Sequence, residues 1–166
     1  MDETRIFCEN DNAFHKVGTG IRLKELSDAF CKTVVDEKTG TELPVLAALV
    51  DHALKELEFQ IMMPHKIEFI GYNHPDGRRT YVRSLCFVLQ HAVRDLYPDK
   101  VLFIEYSLPS GLYCEIREQQ ANEDGILPTH FVTDEEIERI KERMQEIINA
   151  DLHFHTGRQL PDPPCH

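Results

Sequence analysis

At Asn73-His74-Pro75-Asp76-Gly77 the chain gathers five turn-forming residues in a row, and the apolar patterning differs on the two sides of them. Upstream, short alternating runs predominate. Downstream, long helical stripes frame a hairpin. This break predicts two packed units in a mixed α+β architecture rather than one continuous sheet. With 166 residues, 42% of them hydrophobic and 28% charged, the chain has material for one sizeable core or two small ones.

In the first segment Arg5-Ile6-Phe7-Cys8 and Phe14-His15-Lys16-Val17 read as strands, joined by the turn chemistry of Glu9-Asn10-Asp11-Asn12. Gly18-Thr19-Gly20 breaks the second strand. Ile21, Leu23, Leu26, Ala29 and Phe30 follow at roughly helical spacing. Leu43 to Asp51 is too short an apolar run for periodicity to separate strand from helix, and is read as a strand. Lys66 to Ile70 alternates, with Ile67 and Phe69 on one face and Lys66, Glu68 and Ile70 on the other, until Gly71 ends it. Strand, strand, helix, strand, strand describes a small ubiquitin-like sheet.

In the second segment Val82, Leu85, Leu89, Ala92, Val93 and Leu96 share a helical stripe that leaves Arg83, Gln90, Arg94 and Asp95 off it, and Pro98 stops the helix. Val101 to Ile104 and Tyr113 to Ile116 read as strands joined through Pro109-Ser110-Gly111. Thr133 with Glu136 three residues on is a capping box, and Asp134 and Glu135 add negative charge at the positive end of the helix dipole. Ile137, Ile140, Met144, Ile147 and Ile148 form the expected buried stripe, with Glu135 and Arg139 paired on the open face.

A formal net charge of −11 opposes a free-standing nucleic-acid binder, because phosphate contacts need clustered Lys and Arg. Arg78-Arg79 with Arg83 is the densest basic group, and as a solvated helix start it needs no ligand. Five cysteines without C-x-x-C spacing suit a reducing compartment. No basic leader precedes an apolar run, and no stretch approaches the roughly 20 apolar residues of a membrane span. The expectation is a cytoplasmic, soluble chain without a membrane partner.

The stretch from Arg79 to Pro98, RTYVRSLCFVLQHAVRDLYP, resembles the helix of threonyl-tRNA synthetase editing domains that carries a His-x-x-x-His motif. Arg83 and Phe87 stand at the two histidine positions. The resemblance continues through Gly111-Leu112-Tyr113-Cys114-Glu115-Ile116 and from Thr133 into Met144-Gln145-Glu146-Ile147-Ile148. The front of the chain, with Gly18-Thr19-Gly20-Ile21 and Lys66 to Ile70, resembles the TGS domain, although Asp51-His52 replaces a frequent Asn-Gly turn and Asp36 to Gly40 looks like an enlarged loop. A further likeness, in Arg79-Thr80-Tyr81-Val82-Arg83-Ser84-Leu85 and Arg143-Met144-Gln145-Glu146-Ile147-Ile148-Asn149-Ala150-Asp151, is to the amino-terminal region of Bacteroides-type uridine kinases, ATP-dependent transferases in which such a module precedes a P-loop kinase domain. The resemblance implies a TGS-like domain over 1–72, an editing-like domain over 79–157 and a Pro-rich tail over 158–166.

Zinc chemistry would need three or four converging N or S ligands. Arg83 stays protonated and Phe87 has no donor atom, so neither can be one. The editing family's Cys-x-x-x-His has no counterpart before Cys165-His166. Cys86 and His91, five apart, point in different directions on a helix, and His153-Phe154-His155 lacks further ligands. None of the eight glycines begins a Gly-x-x-x-x-Gly-Lys-Ser/Thr loop. No metal and no cofactor are expected, and no catalytic residue is assigned.

What is expected is a noncatalytic regulatory or ligand-binding module, whose partner is a nucleotide or phosphate, a kinase domain or another protein, and not tRNA. Arg79, Arg83, Ser84 and His91 are the candidate anion-binding residues. The competing expectation is that Arg83 pairs with Asp95 or Glu115 and only braces the structure. The alternative function is an editing hydrolase acting on mischarged tRNA through Arg83, Ser84 and His91.

Overall fold

The computed structural model describes residues 2–108 and 111–151. It is α+β, with several small sheets and three helices among the described residues. By its internal contacts the chain divides into two compact units, Met1–Leu85 and Cys86–His166.

The first unit is built on a five-stranded mixed sheet. Strands β1 (Glu3–Cys8) and β2 (Ala13–Gly18) form the opening hairpin, and β3 (Ile21–Arg22) leads into α1 (Leu23–Phe30). Beyond it come β4 (Thr33–Val35), β5 (Glu42–Pro44), β6 (Ala47–Val50), β7 (Ala53–Lys55), β8 (Gln60–Ile61) and β9 (Lys66–Ile70). The sheet order is β2-β1-β9-β6-β7, with β1 and β9 parallel and the other neighbours antiparallel. Asp36 to Gly40 is the loop of the β4–β5 hairpin.

Alternation along β1 and β9 sends Ile6, Cys8, Ile67 and Phe69 to one face, where α1 covers them with Leu23 and Leu26. Each large aliphatic side chain so buried contributes about 2 kcal/mol. Helix α1 has no side-chain cap. Its first N–H groups are instead satisfied by loop carbonyls, Leu23 donating to Phe59 at 3.0 Å and Lys24 to Leu57 at 2.8 Å. Asn10 fixes the sheet centre by bonding both the N–H and the C=O of Phe69.

The second unit sets the hairpin β10 (Lys100–Leu108) and β11 (Gly111–Glu118), with the short β12 (Thr129–His130), beside helical core residues. Val88, Ala92 and Val93 of α2 (Pro75–Leu96) pack with Ile116 and with Ile140 and Ile147 of α3 (Asp134–Asn149). The α2 residues to Leu85 group with the first unit and those from Cys86 with the second. The capping box is complete: Glu136 N–H donates to Thr133 Oγ1, and Thr133 N–H donates to Glu136 Oε2. Arg143 forks onto Asp95, at 3.0 Å from Nε and 2.7 Å from Nη2, joining α3 to α2.

Several expectations are corrected. Pro75, Asp76 and Gly77 form the first turn of α2 and not a loop, since proline loses no hydrogen bond there. Gly77 passes so close to Gly71 that an added Cβ would lie 2.0 Å from the Gly71 carbonyl oxygen. Ile70, on the face of β9 opposite Ile67 and Phe69, is buried at the end of the strand next to that contact. Leu85, Ile137 and Ile148 are exposed, so both helical stripes are narrower than their sequence pattern. Among the described residues Glu135 and Arg139 form no ion pair; Lys141 with Glu138 and Arg143 with Glu146 do.

Candidate functional site

Helix α2 opens with its own local chemistry. Asp76 N–H donates to His74 Nδ1 at 3.2 Å, Asp76 Oδ1 accepts from Arg79 Nη2 at 2.6 Å, and Thr80 Oγ1 donates to the Asp76 carbonyl at 2.9 Å. Tyr72 and Tyr81 meet edge to face with centroids 5.3 Å apart, and the Arg78 guanidinium lies 5.4 Å from the Tyr72 centroid.

The four candidate residues meet different surroundings along this helix. Arg79 is held by Asp76. Arg83, one turn on, is exposed and has no ion pair among the described residues, and Ser84 beside it is exposed. His91 lies in the second unit, 3.5 Å from Asp95. The carboxylates considered as braces for Arg83 have other partners: Asp95 accepts from Arg143, and Glu115 from Arg117 and Tyr113. These bonds hold both carboxyls below their usual range, Arg143 being the main cause for Asp95 and Arg117 for Glu115.

Within the first unit a cleft of about 1080 Å³ opens between the α1–β4 connection and the end of β9. Arg78 lines it, and Arg79, Arg83, Ser84 and His91 do not. Its lining carries more acid than base, Glu9, Asp11, Asp36, Glu37 and Glu68 against Lys32, Lys38 and Arg78. Cys31 lies in its wall, but burial pushes that thiol up and its Sγ is 3.4 Å from the Thr33 carbonyl, so it is a poor nucleophile. Burial likewise raises the thiols of Cys8 and Cys114. Among the described residues no group of three or more His, Cys, Asp or Glu side chains is arranged to hold a metal ion. His153-Phe154-His155 and Cys165-His166 lie outside the described residues.

No family model matches the chain. Curated relatives do. A threonine-tRNA ligase of Desulforamulus reducens is 29% identical over 115 residues, 69% of this chain and 16% of that protein. One of Coxiella burnetii is 27% identical over 132 residues, 78% of this chain and 19% of the relative. One of Psychrobacter arcticus is 30% identical over 113 residues, 68% of this chain and 16% of the relative. The chain is distantly similar to the amino-terminal region of threonyl-tRNA synthetases. It spans less than a fifth of the length of these relatives, 16% to 19%. The likeness covers the front scaffold of a threonyl-tRNA synthetase, including its TGS and editing region. No helix among the described residues is long and apolar enough to cross a membrane.

Sequence reasoning missed the cleft, because its walls come from residues 9–11, 30–38 and 68–78, far apart in the chain. It also missed the cations of the opening hairpin. Their signal, Arg5 and Phe7 on one strand and Phe14 and Lys16 on the next, becomes readable once the strand register is known.

Proposed function

We propose that the chain is a noncatalytic, ligand-binding accessory module on a threonyl-tRNA-synthetase-like front scaffold, with residues 1–72 as its TGS-like part and 79–157 as its editing-like part. The carrying observation is the pair of positions where the editing resemblance expects histidines. Helix α2 has Arg83 and Phe87 there. A guanidinium is permanently charged and offers a planar fork of N–H donors, which suits an anion and cannot serve as a metal ligand or general base. Arg83 has no competing carboxylate among the described residues, and Ser84 adds a hydroxyl beside it.

The uridine kinase likeness narrows the ligand class to phosphate-bearing molecules, with a kinase domain as the element such a module would serve. Calorimetric titration of the chain with uridine nucleotides, ATP and inorganic phosphate tests this. Saturable binding of at least one of them, weakened roughly tenfold in Arg83→Ala by loss of a charge-assisted contact, is expected. Binding of none, or equal binding by the variant, contradicts the reading.

A further inference from the structure

The opening hairpin sets two cations directly against each other. Arg5 on β1 is opposite Lys16 on β2, and Phe7 is opposite Phe14. Phe7 N–H donates to the carbonyl of His65, the residue before β9, at 3.0 Å, away from β2. Phe7 and Phe14 therefore form a pair that exchanges no backbone hydrogen bonds, and so do Arg5 and Lys16 two residues along. In such pairs the side chains are closest, and like charges there oppose pairing. Neither Arg5 nor Lys16 has an ion pair among the described residues, in a chain with 29 acidic against 18 basic residues.

The same geometry leaves β2 with an open edge. It ends the sheet order, and the N–H and C=O groups of Phe14 and Lys16 point outward from it. Phe14 is 60% exposed, with the Arg5 guanidinium 4.0 Å from its ring centroid and Phe7 at 4.9 Å. A cleft of about 380 Å³ adjoins these rings, lined also by Pro64, Lys66 and the hydrogen-bonded pair Asp51 and His65. Aromatic surface, unpaired cations and free ladder groups thus belong to one strand edge.

We propose that the β2 edge takes up an extended acidic peptide as a sixth strand. An apolar side chain of the peptide covers Phe14, and a carboxylate two residues away from it lies against Lys16 and Arg5. The backbone supplies the ladder bonds and the alternate side chains supply selectivity. This goes beyond the accessory-module reading: no residue of α2 takes part, so the Arg83 titration can fail while this site stands, and the reverse.

Fluorescence anisotropy on the full chain tests it, using a labelled peptide of repeating Val-Thr-Glu-Thr, which sets a valine and a glutamate two residues apart on one face of the strand. Controls are a lysine counterpart and a version N-methylated at alternate backbone positions. The acidic peptide is expected to bind, the two controls roughly tenfold or more weakly, and Lys16→Glu to lose roughly tenfold in affinity. Because Lys16→Glu replaces a like-charge pair with an opposite one, its melting temperature is expected to hold or rise, which separates lost binding from lost folding. No binding, equal binding of either control, unchanged affinity in Lys16→Glu, or displacement by inorganic phosphate or an oligonucleotide at matched ionic strength overturns the proposal.

Discussion

Asn10 and Phe69 are joined by two hydrogen bonds, Asn10 Nδ2 donating to the Phe69 carbonyl at 2.9 Å and Phe69 N–H donating to Asn10 Oδ1 at 2.7 Å. The side chain of a turn residue thus extends the β1–β9 ladder after β1 has ended. Asn10→Ala is expected to lower stability by about 2 kcal/mol, from two lost bonds and a strand left partly unpaired. Asn10→Asp keeps the acceptor but turns an oxygen to the Phe69 carbonyl, and is expected to destabilise as well. Urea unfolding of the two variants against the parent chain checks this.

The β6–β7 hairpin turns on Asp51 and His52, whose φ angles are 48° and 67°. Both central residues of this tight turn are left-handed, which favours Asn-Gly and strains a histidine. His52→Gly is expected to raise stability by about 1 kcal/mol. Asp51 is different: its carboxylate accepts from Lys66 N–H at 2.9 Å and from His65 Nδ1 at 2.6 Å. Asp51→Gly is therefore expected to destabilise despite relieving the same strain. Thermal melts of the two glycine variants should shift in opposite directions.

Glu136 closes the cap of α3. The Thr133 N–H bond, followed by His130, draws its carboxyl from 4.5 down to about 2. A depressed folded-state pKa gives stability that is present above pH 4.5 and is lost as pH falls toward 2. Glu136→Gln is expected to remove that acid-side slope while retaining an acceptor for Thr133. Chemical unfolding at a series of acidic pH values checks it, and an unchanged slope in the variant contradicts it. Thr133→Ala removes the reciprocal half of the box and is expected to cost about 1 kcal/mol at neutral pH.

What could be read in the sequence follows the range of the interactions. The capping box at Thr133, the Arg5 to Val17 hairpin and the α+β order are fixed by residues a few positions apart. The strand reading of Leu43 to Asp51 holds in substance, although the run divides into β5 and β6. The Asn10 bonds to Phe69 span 59 positions, and the Gly71 carbonyl that excludes a side chain at Gly77 is a tertiary contact; neither leaves a periodic trace. Helix α2 begins at Pro75 because its first turn is set by that contact and not by a breaker rule. Asp95 and Glu115 looked available to Arg83 in sequence, but Arg143 and Arg117 hold them through partners that only the packed second unit supplies.

The claim that this scaffold is noncatalytic is tested most directly by incubating the purified chain with mischarged tRNA and zinc and following release of the amino acid. Arg83 and Phe87 provide neither a base nor a metal ligand at the two helix positions. The account predicts release at the rate of the protein-free control. Release that rises in proportion to the concentration of the chain would contradict it.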